Sequence, residues 1–283
     1  MSWPALALLC ALSAGSAQDA QEKAEGASPE AQAAWARLVA ATSSAPGQPI
    51  TAFRLEADVL TRQGAQTNET EIDYRYLAPD CIRFLLPNRL ETGRFGSGRE
   101  DYWLKDKDEI VVLASRDYVQ DRRQIDEMLA LARNYVALSD PGRLNLRRLE
   151  LRSAPPGDLP PSLQAAAKKL TWISVASPDF ALVRRDGEPA PEDALYTVEL
   201  GLNRDSLPVL VAIRDESKRG DRAALLVELG KYEERNGFKI PLQLRVYGRR
   251  PDARAGFVDS PSQEIYVTAT DLRAPLTRDD FKP

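Results

Sequence analysis

From Ile50 onward this chain alternates apolar and polar residues with a period of two, and that alternation constrains its fold more than any other feature. Phe53, Leu55, Ala57 and Val59 alternate with Arg54, Glu56 and Asp58. Successive side chains of a strand point to opposite faces, so this segment reads as a half-buried strand. Gln63-Gly64-Ala65-Gln66 predicts a turn, after which Thr70, Ile72, Tyr74 and Tyr76 alternate with Glu69, Glu71, Asp73 and Arg75. Two such segments across a short connection form an antiparallel hairpin.

The pattern continues along the chain. Pro79-Asp80 leads a strand from Cys81 to Leu86, and Tyr102–Leu104 and Ile110–Leu113 flank the turn Lys105-Asp106-Lys107-Asp108. Glycines between Gly93 and Gly98 read as bending an edge strand. One long helix then interrupts, at 120–137. Ile125, Met128, Leu129, Ala132 and Val136 fall on a single stripe, away from Arg122, Arg123, Asp126 and Arg133. Strands resume at 144–151, 170–175, 180–184, 195–202, 209–213, 223–232, 240–247 and 265–272, with a short helix at 163–169. Arg235-Asn236-Gly237 between two apolar alternations is a strong hairpin signal. Upstream, Ser28-Pro29-Glu30 opens a helix with Ser28 as its N-cap, and Trp35, Leu38 and Val39 face the body. The chain breaks again at 43–49.

These segments amount to about ten antiparallel strands with a helix inserted after the first five, and no β-α-β alternation. The expected fold class is therefore mainly β with helices (α+β). It is a single highly curved antiparallel sheet with the long helix covering its concave face.

Residues 3–17 form an apolar core of signal-peptide length that runs into small residues. Gly15 and Ala17 fit a cleavage site, which predicts export and removal of residues 1–17. Leu9 before Cys10 does not suit a lipid-anchored terminus, so Cys10 leaves with the signal and Cys81 remains as a lone thiol. Residues 18–49 are then a polar lead-in and the first helix, and 50–283 the main body.

Composition removes several kinds of chemistry. The chain of 283 residues contains no histidine, the commonest general base and metal ligand, and only two cysteines. Its 38 basic and 42 acidic residues leave a net charge of −4, and the arginine pairs are scattered among acids, which argues against nucleic acid as a partner. No apolar run after the signal is long enough for an integral membrane helix. Asp106, Asp108 and Glu109 crowd one turn, but Lys105 and Lys107 interleave with them and the twelve-residue calcium-loop pattern is missing. They read as a solvated hairpin tip. Asn68-Glu69-Thr70 is a glycosylation sequon that matters only in a eukaryotic secretory route. No cofactor, metal or catalytic residue is expected.

What remains is apolar. One helix covers only part of so wide a face, so the rest is either filled by side chains or open as a cavity. The expected lining is Phe53, Leu55, Ile72, Tyr74, Tyr76, Ile82, Phe84 and Trp103, under a lid formed by Ile125, Met128, Leu129 and Ala132.

The order of elements resembles the LolA/LolB-type periplasmic lipoprotein carriers and their outer-membrane lipoprotein-sorting relatives. The likeness lies in an exported chain, an N-terminal helix, the strand Phe53–Leu60 with its hairpin to Tyr76, and the Pro-led strand Ala78-Pro79-Asp80-Cys81-Ile82-Arg83-Phe84. It continues through the Trp103 hairpin, the central helix, the hairpin Tyr232-Glu233-Glu234-Arg235-Asn236-Gly237-Phe238-Lys239-Ile240-Pro241 and the closing Asp279-Asp280-Phe281. The resemblance implies an incomplete barrel whose interior holds acyl chains. In one respect the chain departs from it: Ala78 stands where some members carry an arginine that bonds the helical lid. Two non-enzymatic functions follow. One is a carrier of lipid or lipidated protein, and the other an envelope interaction protein with a filled interior.

Overall fold

The computed structural model describes residues 27–43, 49–63, 66–85, 90–182, 195–215, 225–249 and 256–283. The expected export signal, the Gly64-Ala65 turn, Leu86 and the loop at 186–193 lie outside the described residues.

Among the described residues thirteen strands form one antiparallel sheet. Six precede the long helix: β1 (Ala52–Gln63), β2 (Gln66–Leu77), β3 (Cys81–Leu85), β4 (Glu91–Arg94), β5 (Tyr102–Asp106) and β6 (Glu109–Val112). Seven follow it: β7 (Arg148–Arg152), β8 (Thr171–Ser177), β9 (Tyr196–Leu202), β10 (Pro208–Asp215), β11 (Leu225–Arg235), β12 (Phe238–Tyr247) and β13 (Gln263–Asp271). Across the sheet the order is β6-β5-β4-β3-β2-β1-β13-β12-β11-β10-β9-β8-β7. The first and last strands, β1 and β13, pair at its centre, while β6 and β7 remain as free edges, so the barrel is not closed.

Among the described residues three α-helices pack on this sheet: α1 (Pro29–Thr42), α2 (Val119–Ser139) and α3 (Pro161–Ala167). At α1 the Ser28 hydroxyl accepts the Ala31 N–H at 3.2 Å, which satisfies one of the free donors of the first turn. The β11–β12 hairpin turns on Asn236 (φ 51°) and Gly237 (φ 83°), the two positive φ values that a tight two-residue turn requires.

Apolar burial is divided into three clusters. Trp35 and Leu38 of α1 cover the inward residues of β7–β11, among them Leu149, Ile173, Val198, Val211 and Val227. Ile125, Leu129, Ala132 and Tyr135 of α2 cover β1–β3, with Phe53, Tyr74, Tyr76, Ile82 and Phe84. The third cluster lies on the convex face, where Leu163 and Ala167 of α3 join Trp172, Leu210, Leu226, Tyr247 and Phe257. Part of the outward face of β8–β12 is thus apolar as well.

Two expectations are corrected here. The glycine segment is not an edge strand, because β4 runs between β3 and β5. A Cβ on Gly93 would lie 2.5 Å from the Ile82 carbonyl oxygen and 2.9 Å from the Trp103 ring, so only glycine fits beneath that ring. Residues 180–182 are not strand either. Phe180 is a buried corner beside α1, held where Ala181 exchanges two hydrogen bonds with the Asn134 side chain.

Candidate functional site

The concave face can be read as rows of laterally paired residues across the central strands. The first is Tyr76–Phe53, and the second Tyr74–Leu55–Thr270. The third is Ile72–Ala57–Val267, and the fourth Thr70–Val59–Ile265–Leu244–Leu229. The fifth is Asn68–Thr61–Gln263–Val246–Val227. Partners in a ladder share a face, so these side chains point the same way. Phe53 and Tyr74 are dry, at 1% and 5% exposure, because α2 lies over them. Further along, the helix no longer covers the sheet, and Ile72, Thr70, Val59, Ile265 and Leu244 are half-buried. In the fifth row Asn68 is exposed, and Thr61, Gln263 and Val246 are half-buried.

No residue in these rows carries a charge, whereas the outward positions of the same strands do. Arg54 bonds Asp73 at 3.0 Å, and Arg245 bonds the buried Glu264 at 3.1 Å. A half-open apolar ladder, dry and aromatic at one end and rimmed by neutral hydroxyl and amide groups at the other, is therefore the candidate site.

Helix α2 is fastened over the dry end by polar groups that periodicity does not reveal. The Tyr74 hydroxyl donates to the Met128 carbonyl. Asp126 accepts from Arg94 Nη1 at 2.9 Å and from the Tyr102 hydroxyl at 2.7 Å, while the Arg94 guanidinium lies 4.9 Å from the Tyr102 ring centroid. Arg122 donates to the carbonyls of Leu113 and Ser115. The position of Ala78 carries no lid contact of this kind, and Arg94 on β4 supplies the arginine instead. Its place on a short strand without alternation gave no signal of that role.

The expected lining residues divide into three groups. Phe53, Leu55, Tyr74, Tyr76, Ile82 and Phe84 come together with Ile125, Leu129 and Ala132 as a packed aromatic core, and Met128 packs at its margin. The Phe53 ring lies 5.8 Å from Tyr74, 5.3 Å from Tyr76 and 5.7 Å from Tyr135, so these residues fill the interior beneath α2. Ile72 alone lies at the half-buried end of the ladder. Trp103 is on the other side of the sheet. It pairs with Gly93, which pairs with Arg83, and its Nε1–H donates to the Phe281 carbonyl on the convex face at 2.8 Å. Tyr102 occupies the inward position next to it.

Three buried hydroxyls have no hydrogen-bond partner among the described residues: Tyr135, at 7% exposure in the core, Ser139 near the end of α2, and Thr270 Oγ1, opposite Leu55. Burial raises the Tyr74, Tyr102 and Tyr135 phenols far above their usual range, so all three stay neutral donors. Among the described residues no group of three potential metal ligands converges, and no helix is long and apolar enough to cross a membrane.

No family model matches the chain, and no curated protein matches it. Solved structures share its course. A DUF1329 family protein from Desulfovibrio piger aligns over 89% of this chain and 96% of its own at 13% identity, with a TM-score of 0.47. A LolA superfamily protein from Nitrosomonas europaea aligns over 89% and 97% at 11% identity, with a TM-score of 0.44. At these scores the likeness carries no argument about function.

Proposed function

We propose that this protein is an exported, non-enzymatic binding protein of the periplasm. In this reading residues 50–283, freed of the signal at 1–17, hold acyl chains of a lipid or lipidated protein against the concave face without a cofactor. The observation that carries it is the half-buried fourth row, an apolar ladder that α2 leaves uncovered between two dry clusters. Burying acyl chain there gains about 0.8 kcal/mol per methylene, so eight methylenes contribute about 6 kcal/mol before the cost of association.

The test is fluorescence titration of the purified protein with a long-chain acyl probe, with thermal melts alongside. Saturable binding is expected, weakened at least about tenfold by Leu244→Glu or Ile265→Glu, which leave folding largely intact because both positions border water. Ile82→Glu serves as a contrast: Ile82 is fully buried, so a carboxylate there unfolds the protein instead of tuning the site. Absence of saturable binding in the parent would favour the second reading, an envelope interaction protein with a filled interior. The dense packing of Phe53, Tyr74, Tyr76 and Phe84 under α2 supports that alternative.

A further inference from the structure

We infer that strand β6 is a pairing edge to which a second copy of this chain adds its own β6, antiparallel, with Ile110 opposite Val112 and Val111 opposite its own counterpart. This does not depend on the acyl-binding reading.

Among the described residues β6 has a neighbour on one side only. The β5–β6 hairpin closes with Asp106 opposite Glu109, and the Leu113 N–H donates to the Tyr102 carbonyl at 2.8 Å. Hydrogen-bonded positions alternate along an antiparallel ladder. Glu109, Val111 and Leu113 therefore turn their backbone groups toward β5, and Ile110 and Val112 turn theirs away from it. The side chains of those two positions stand on the convex side, opposite Lys105 and Trp103, at 47% and 49% exposure. A free edge of this kind, with exposed β-branched side chains, is a template for another strand. Charge commonly guards such edges, and β7 carries Arg148, Glu150 and Arg152 at alternate positions. Between Glu109 and Leu113, β6 has no charged residue.

Symmetry points to a second copy as the partner. Ile110-Val111-Val112 laid antiparallel on itself about Val111 sets Ile110 against Val112 twice. These are the positions whose backbone groups face outward, so each pair exchanges two hydrogen bonds. Opposed side chains share a face. Two β-branched pairs thus cover one another on the convex side, and Val111, packed at the margin of the aromatic core, meets its counterpart on the concave side. The register also holds the acidic hairpin tips at opposite ends. Glu109 falls opposite Leu113 of the second copy, and Asp106 and Asp108 lie toward the exposed Arg116 beyond it. Pairing with β7 of a second copy fits worse, because it sets Arg148, Glu150 and Arg152 beside Ile110 and Val112 and repeats without closing. In the two-fold dimer both concave faces open to the same side.

The strand is four residues long, so the contact is small and the dissociation constant is expected at about 10–100 µM. Sedimentation equilibrium of the purified protein over about 5–500 µM should show a rise from one chain to two. Ile110→Lys and Val112→Lys should each weaken association at least about tenfold at an unchanged melting temperature, since both side chains already reach water. Leu151→Lys, on β7, should leave association unchanged. Cysteine reads the register. Cα atoms of a non-hydrogen-bonded antiparallel pair lie about 4.5 Å apart, within disulfide range. Val111→Cys should oxidise to a covalent dimer on a non-reducing gel, whereas Ile110→Cys and the parent, whose Cys81 is buried, should not. A parent that stays monomeric at every concentration overturns the inference and leaves the edge to a strand of another protein. Association that survives both lysine variants, or that only Leu151→Lys abolishes, lies elsewhere and overturns it as well. Crosslinking of Ile110→Cys as readily as Val111→Cys overturns the register.

Discussion

The thiol of Cys81 has no exposure and sits at the head of β3, donating to the Phe95 carbonyl at 3.4 Å. Burial, aided by the neighbouring Asp80 carboxylate, pushes it from 9.0 up to about 11. A raised acid favours its protonated form in the fold. Its contribution to stability is therefore complete below pH 9 and lost as pH rises through about 11. At pH 8 the folded protein should be alkylated by iodoacetamide at least about a hundredfold more slowly than a urea-unfolded control, since two pH units separate the thiolate fractions. Alkylation at the control rate would mean that β3 is not closed over the sulfur. Elsewhere at this scale, one device recurs on the convex face. Trp103 lies across Gly93 and Trp172 across Gly201, and each indole N–H donates at 2.8 Å to a carbonyl of the segment covering it, Phe281 and Ala167 respectively. Each glycine is the space its tryptophan occupies.

Helix α2 is held by its apolar stripe and by the Asp126–Arg94–Tyr102 cluster together. Leu129, at 7% exposure in the aromatic core, is the position that separates docking from mere proximity. Leu129→Asp should cost about 3–5 kcal/mol in urea denaturation, combining a lost side chain with an unpaired buried carboxylate. A variant as stable as the parent would show that the stripe is not docked. The stripe itself was legible because i, i+3, i+4 and i+7 recur over several turns, and β1 and β2 were legible because alternation runs through twelve residues each. The short strands were not. In β4, Glu91-Thr92-Gly93-Arg94 offers no apolar member to set a parity. In β5, Tyr102 and Trp103 are both large and both buried, so alternation cannot say which faces inward, and the expected lining took the wrong one. The outward apolar patch of β8–β12 was equally hidden, since a strand such as β8, with Trp172 and Ala176 on one face and Ile173 and Val175 on the other, does not reveal that helix α3 covers its far side. The half-open ladder depends on how far α2 reaches, which no local pattern encodes.

On the scale of the molecule, the chain returns at its end to strands laid down near its start. Past β13 it crosses the convex face, where Phe281 is fully buried, Arg83 donates to the Asp280 carbonyl at 3.0 Å, and Arg278 meets Asp80 at 3.4 Å. Deleting residues 278–283 removes the Phe281 ring and orphans the Trp103 N–H. The expected loss is at least about 3 kcal/mol in urea denaturation, and a truncated protein that unfolds like the parent would show that this segment is not docked. The two free edges, β6 and β7, have a consequence of another kind. In a closed barrel the girth is fixed by strand number and stagger, and widening it means breaking a ladder. Among the described residues no ladder joins the ends of the sheet, so its circumference can grow without breaking a strand pairing. Widening is resisted by the contacts of the covering helices, and in the acyl-binding reading a guest of larger cross-section costs those contacts and not a strand pairing.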